Sequence, residues 1–181
     1  MGYVVLEAPA AEPVSAAEVA RHLRLTSDAE AAAAAALAPA ARALVEARIG
    51  AALIRRRVRE TRRVIEIGPD GALAAAFAPV VSILAARWLG PGGSSGPLET
   101  LLDPTDPRDV VRVRNPSAAE AVEIDMIVGY AAAPTDLPAD LRQAVLDATA
   151  ALHFGRSDPN APAIGARAAA ALAPYLRGRA P

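Results

Sequence analysis

Ala121-Val122-Glu123-Ile124-Asp125-Met126-Ile127-Val128 decides the fold class. Val122, Ile124, Met126 and Val128 alternate with Ala121, Glu123, Asp125 and Ile127, the period-two pattern of a strand with one buried face. Upstream, Val111 and Val113 alternate with Arg112 and Arg114. If Asn115-Pro116-Ser117 turns the chain, Val110 to Val128 is a hairpin. One register then pairs Val113 with Val122 and Val111 with Ile124, and sets Arg112 opposite Glu123. Pattern and charge agree on it, as a specified register requires.

Working outward, strand texture extends from Leu53 to Tyr130. Arg57 to Ile67 is β-branched and arginine-rich, Gly68-Pro69-Asp70-Gly71 reads as a turn, and Val80 to Leu89 as another strand. Gly90 to Pro97 reads as a glycine/serine loop at a hairpin tip. Helices flank this block. After a short apolar start, Tyr3 to Leu6, Ser15 and Glu18 form a capping box that opens a short helix on Val19 and Leu23. Ser27-Asp28-Ala29-Glu30 opens a longer one through Leu37, Ala41, Leu44, Val45 and Ile49, ending at Gly50. Pro39 inside it either kinks the helix or breaks it in two. Leu141, Ala144, Val145, Ala148 and Leu152 make a third stripe after Leu137-Pro138, and Ile164, Ala168, Leu172 and Leu176 a last, short one. The expected fold is α+β: a single domain over 1–181, with about four helices in a core spanning about 13–50 and 135–177 and an antiparallel β-rich insertion over about 53–130.

Composition narrows the function classes. The 181 residues carry a formal charge of −1, no cysteine, and arginine as the sole Lys/Arg type. Without cysteine there is neither a disulfide framework nor a thiolate metal site. A chain near neutrality is a poor coat for nucleic acid, which needs a basic excess, and the few aromatics supply no stacking platform. No run approaches the roughly 18–20 uncharged apolar residues of a membrane span. The opening Met-Gly-Tyr-Val-Val-Leu lacks secretory features, and Leu6 stands where a myristoylation signal needs Ser or Thr.

The candidate chemistry is thin. Gly92-Gly93-Ser94-Ser95-Gly96 matches the G-x-S-x-G nucleophile elbow in letters, but Pro97 and a strand follow where a helix is needed. His22 and His153 have no partner at metal-ligand spacing. Asp103-Pro104-Thr105-Asp106-Pro107 lacks the glycine turn of a calcium loop. No cofactor and no catalysis are expected. The arginine segment is the sharper feature: Arg55, Arg57 and Arg59 fall on one face of a strand, beside Arg56, Arg62 and Arg63. They are read as a solvated or intramolecularly paired face, as a salt-bridged subunit interface with acids such as Glu123 and Asp125, or as a surface near passing DNA. The interface reading leads, because strand arginines do not by themselves cradle phosphates.

Four stretches together resemble the head–tail connector (adaptor) family of long-tailed phages and phage-like gene transfer particles. Glu12-Pro13-Val14-Ser15 through Leu25 is similar to its opening helix, and Ala40 to Gly50 with Ala52-Leu53-Ile54 to its second helix and exit. Leu137-Pro138 through Leu146 is similar to the third, and Leu172-Ala173-Pro174-Tyr175-Leu176-Arg177 to the ending. Pro39 and the long, arginine-rich insertion depart from the family pattern. The resemblance implies a structural virion protein, assembled in the host bacterial cytoplasm and placed in the particle neck. It would form a ring, commonly twelvefold, that joins the portal to a tail-side neck or stopper protein, with DNA only as passing cargo and no membrane. A ring subunit needs complementary surfaces rather than a pocket. Ile164, Ala168, Leu172, Tyr175, Leu176 and Arg177 are the expected portal-facing residues; the alternative is that this segment packs on the subunit's own helices. Rival readings are a neighbouring neck or tail-completion protein, and a small DNA-binding regulator using the Ser15–Ile49 helices.

Overall fold

The computed structural model describes residues 2–103, 109–114, 119–155 and 164–176. The chain divides into two compact units: residues 10–54 with 131–181, and residues 1–9 with 55–130.

The first unit is helical. The Ser15 N–H donates to Glu18 Oε2 at 2.8 Å and the Glu18 N–H to Ser15 Oγ at 3.3 Å, the reciprocal cap that starts α1 (Ala16–Leu23). Arg24 ends it in the left-handed conformation, φ 56°. Pro39 separates α2 (Asp28–Ala35) from α3 (Ala38–Ile49), so the break, not the kink, is what forms. It lies in the first turn of α3, where a missing N–H costs nothing. Gly50 closes α3 at φ 68°. α4 (Ala139–Phe154) buries Leu141, Ala144, Val145 and Ala148 and packs on all the other helices, including α5 (Ala166–Leu172). A buried carboxylate fixes the exit from α3. Glu46 accepts the Leu53 N–H at 2.9 Å and Arg42 Nη1 at 3.1 Å, and Arg42 also grips Glu12 at 2.8 Å. Ile54 bridges in parallel to Ala131, whose N–H donates to the Leu53 carbonyl at 3.1 Å. The segments leaving for the β unit and returning from it are thus clipped side by side.

The β unit holds β1 (Gly2–Glu7), β2 (Arg56–Arg63), β3 (Ala72–Ala74), β4 (Val80–Leu89), β5 (Ser95–Pro97), β6 (Thr100–Asp103), β7 (Val110–Val113) and β8 (Ala121–Val128). Five form one antiparallel sheet, β1-β2-β8-β4-β5, and three a second, β3-β7-β6. The alternating segment β8 is central in the first sheet. Val58, Ile124, Met126, Leu73 and Val111 are among the residues that fill this unit's core. The Gly68–Gly71 turn is tight: at Gly71, φ 78°, a Cβ would stand 2.3 Å from the Val113 carbonyl oxygen, so only glycine fits.

Three expectations change. The Val110–Val128 hairpin does not form: β7 pairs with β3 and β6, and β8 with β2 and β4. Alternation says which side chains share a face, not which strand lies alongside. Arg112 and Glu123 were an accidental match; Arg112 instead binds Asp70 at 2.7 Å and Asp103 at 3.4 Å. The proposed turn at 115–117 lies outside the described residues. The apolar start Tyr3–Leu6 is itself a strand at a sheet edge. The arginine strand runs from Arg56 to Arg63 and then enters a single 3₁₀ turn, short of the expected Ile67, and Arg55 precedes it. Helices plus antiparallel sheets do give the expected α+β class.

Candidate functional site

In the register of the five-stranded sheet, Val4, Arg57, Arg59, Asp125, Glu123 and Arg87 fall on one face, and Val5, Val58, Glu60, Ile124 and Met126 on the other. The first face carries a ladder of charges across four strands. Glu7 accepts from Arg57 at 3.4 Å, and Arg57 reaches Asp125 at 3.1 Å. Arg59 holds Asp125 with two bonds, 2.6 and 2.9 Å, and stands 4.0 Å from Glu123, which in turn accepts from Arg87 Nε at 2.6 Å. The Arg59 hydrogen bond, then that of Arg57, holds the Asp125 carboxyl below the usual aspartate range, against the opposing effect of its burial.

The ladder brings together four of the five residues expected at a subunit interface and leaves out Arg55, which is exposed. It also corrects the expectation for Asp125. Only 5 % exposed and already bound by two arginines of its own chain, that carboxylate is an internal partner rather than a contact for a neighbour. Reading residues missed Glu7 and Arg87; Arg87 is the single charge in β4 and was the available signal.

On the opposite face, Glu60 is 1 % exposed and accepts from Arg62 and, at 2.9 Å, from the Ala76 N–H. Phe77 packs edge-on against Tyr3, with centroids 4.6 Å apart, and lies 5.5 Å beneath the Arg56 guanidinium. A lone glutamate among arginines was the clue to this buried anchor.

The C-terminal segment is partly internal. Ala168 and Leu172 are fully buried within the helical unit, so those two portal-facing candidates are corrected: the subunit's own helices cover them. Tyr175 donates its hydroxyl hydrogen bond to Asp140 at 2.6 Å, Ile164 is half-buried and Leu176 is exposed. Arg177 lies outside the described residues.

No catalytic arrangement assembles among the described residues. Ser94 follows a 3₁₀ turn, its hydroxyl bonds the Pro91 carbonyl at 2.9 Å, and β5 rather than a helix comes next. His22 lies 3.3 Å from Asp147, and His153 packs edge-on against Phe154. No group of three or more described histidines or carboxylates could hold a metal ion. No helix among the described residues is long and apolar enough to cross a membrane. The hollow of about 600 Å³ beside the Gly68–Gly71 turn has Asp70 and Arg114 as its charged lining, and Asp70 is held by Arg112.

The fold is similar from end to end to chains in solved structures of particle necks, the place that the sequence resemblance implied. Among the solved structures to which the chain is similar are three of gene transfer agent (GTA) particles. One is the neck of an empty GTA particle computed with C6 symmetry, at TM-score 0.79 and 28% identity over 99% of this chain and 97% of that one. A second is the virion of a native gene transfer agent particle, at 0.79 and 28% over 98% and 95%. A third is the neck of a native GTA particle computed with C12 symmetry, at 0.77 and 26% over 99% and 97%. No protein-family model and no curated protein matches the chain. The coarse reading, a structural neck protein, rests on this end-to-end likeness.

Proposed function

We propose that the chain is the adaptor ring subunit between the portal vertex and the tail, continuing the DNA channel without catalysis. The observation that carries this is the likeness over nearly the whole chain to neck structures solved with six- and twelvefold symmetry. That symmetry supports a ring, most simply of twelve copies, and heterologous contacts between neighbours are what such a ring requires. The near-neutral charge fits a collar through which DNA passes without being gripped. In this reading the two units of the single 1–181 chain act together as one connector subunit, located in the neck and assembled in the bacterial host cytoplasm. Arg55, Arg57, Arg59 and Glu123 remain the proposed charged contacts between subunits, through whatever capacity the ladder leaves exposed. Ile164, Tyr175 and Leu176 remain for the portal.

Particles made with and without the chain test it by electron microscopy. The expected result is density for the chain as a ring at one vertex, and filled heads without tails when it is deleted. Chain found scattered over the capsid, or tails joined normally in its absence, overturns the reading.

A further inference from the structure

The five-stranded sheet has two uncovered edges, one on each side. β1 closes one side, with no strand beyond it among the described residues. On the other, β5 pairs with β4 only along Arg87–Leu89, after which the chain leaves for the second sheet as β6. Among the described residues, Val81 to Ala85 therefore has a strand partner only in β8; before it, the Val80 N–H already donates to Asp109 Oδ1 at 3.2 Å. β1, six residues long, reaches along the whole of that edge.

Both edges carry β-bulges, and each bulge exposes an aliphatic residue. The register skips Leu6 in β1, and Val81 and Leu84 in β4. All three are exposed, together with Tyr3 and Val4 beside the first and Leu101 of β6, which packs near β4, beside the others. Val4 is 60 % exposed, Leu84 49 % and Leu101 59 %. Bulges normally turn an edge away from pairing, and natural edges carry lysine, proline or an inward charge. β1 has none of these guards, since its one charge, Glu7, is tied to Arg57.

We propose that β1 of one subunit adds to the Val81–Ala85 edge of β4 in the next copy of this chain, so that the sheets join edge to edge around the ring. A second copy is the fitting occupant because the two apolar edges lie at opposite sides of one sheet. A contact between them is heterologous, and repeated by rotation it closes into a ring. Pairing of β1 with β1 would stop at a dimer and leave Val81 and Leu84 bare. The inference rests on the ring reading and specifies its interface.

The chain has no cysteine, so introduced ones report without interference. Full-length chain carrying Val4→Cys and Leu84→Cys is oxidised both at high concentration in solution and in particles, beside each single variant. The expected outcome is a ladder of covalent oligomers from the double variant or from an equal mixture of the singles, and none from either alone. Val4→Asp should weaken association roughly tenfold or more while the circular dichroism spectrum is unchanged. Rings seen by microscopy with no ladder, and assembly unmoved by Val4→Asp, overturn this interface and leave the ring standing. Dimers from Val4→Cys alone mean two-fold pairing and overturn it too. Chain that neither cross-links nor is found in the neck removes the ring and this interface together.

Discussion

Replacing Glu60 by alanine (Glu60→Ala) would leave the Ala76 N–H and the Arg62 Nε without their acceptor, Arg62 keeping only its bond to the Ala74 carbonyl at 3.3 Å. Breaking such a buried pair costs about 3 kcal/mol. Arg57→Ala removes only part of a ladder at the sheet surface and should cost at most about 1 kcal/mol. Urea unfolding of the two variants compares them directly; equal losses would show that Glu60 is no anchor. Asp125 makes a pH prediction. Its folded carboxyl titrates below the unfolded value of about 3.9. Its contribution is therefore complete above that value and is lost as pH falls through the lower, folded one. Asp125→Asn should lower stability at neutral pH and flatten the decline below about pH 4, measured by unfolding across that range.

Among the elements, the β4–β5 hairpin depends on a missing side chain. A Cβ at Gly96 would stand 2.8 Å from Trp88 Nε1, so Gly96→Ala must push the indole aside. We expect a loss of about 1–3 kcal/mol and a shift in emission from Trp88, the chain's single tryptophan. The helices were readable because their signals are local: Ser15 with Glu18, Gly50, and the 141–148 stripe each act within a turn or two of themselves. The extent of β4 was readable for the same reason, and Val80–Leu89 forms as expected, whereas the arginine strand stops at Arg63, short of Ile67. Strand partners were not. Val111 finds Leu73 and Leu102, about forty and ten residues away, and nothing in its alternation prefers them to Ile124. Two of the ladder's six residues were hidden likewise, since Glu7 and Arg87 reach Arg57 and Glu123 only after four strands have aligned.

Over the whole molecule, α5 belongs to the helical unit's own core. Leu172→Ala should cost about 2–4 kcal/mol. Truncation after Asp158 removes Leu172 and Ala168 together and should lower the melting temperature sharply, by differential scanning calorimetry. A truncated chain that melts normally would show that α5 contributes no packing and return it to the role of a free docking arm. Each unit is built from two separate lengths of chain: β1 joins β2 across the helices, and α4 joins α3 across the whole β block. On the ribosome this sets an order. β1 emerges with its sheet partner some fifty residues behind, and β2 gains its other neighbour only when β8 follows. α3 waits longer still, until α4 has been made. Neither unit can finish folding while the chain is half synthesised, so the apolar β1 is made well before the strand that shelters it, and a host holdase that recognises extended apolar segments would meet this protein at β1.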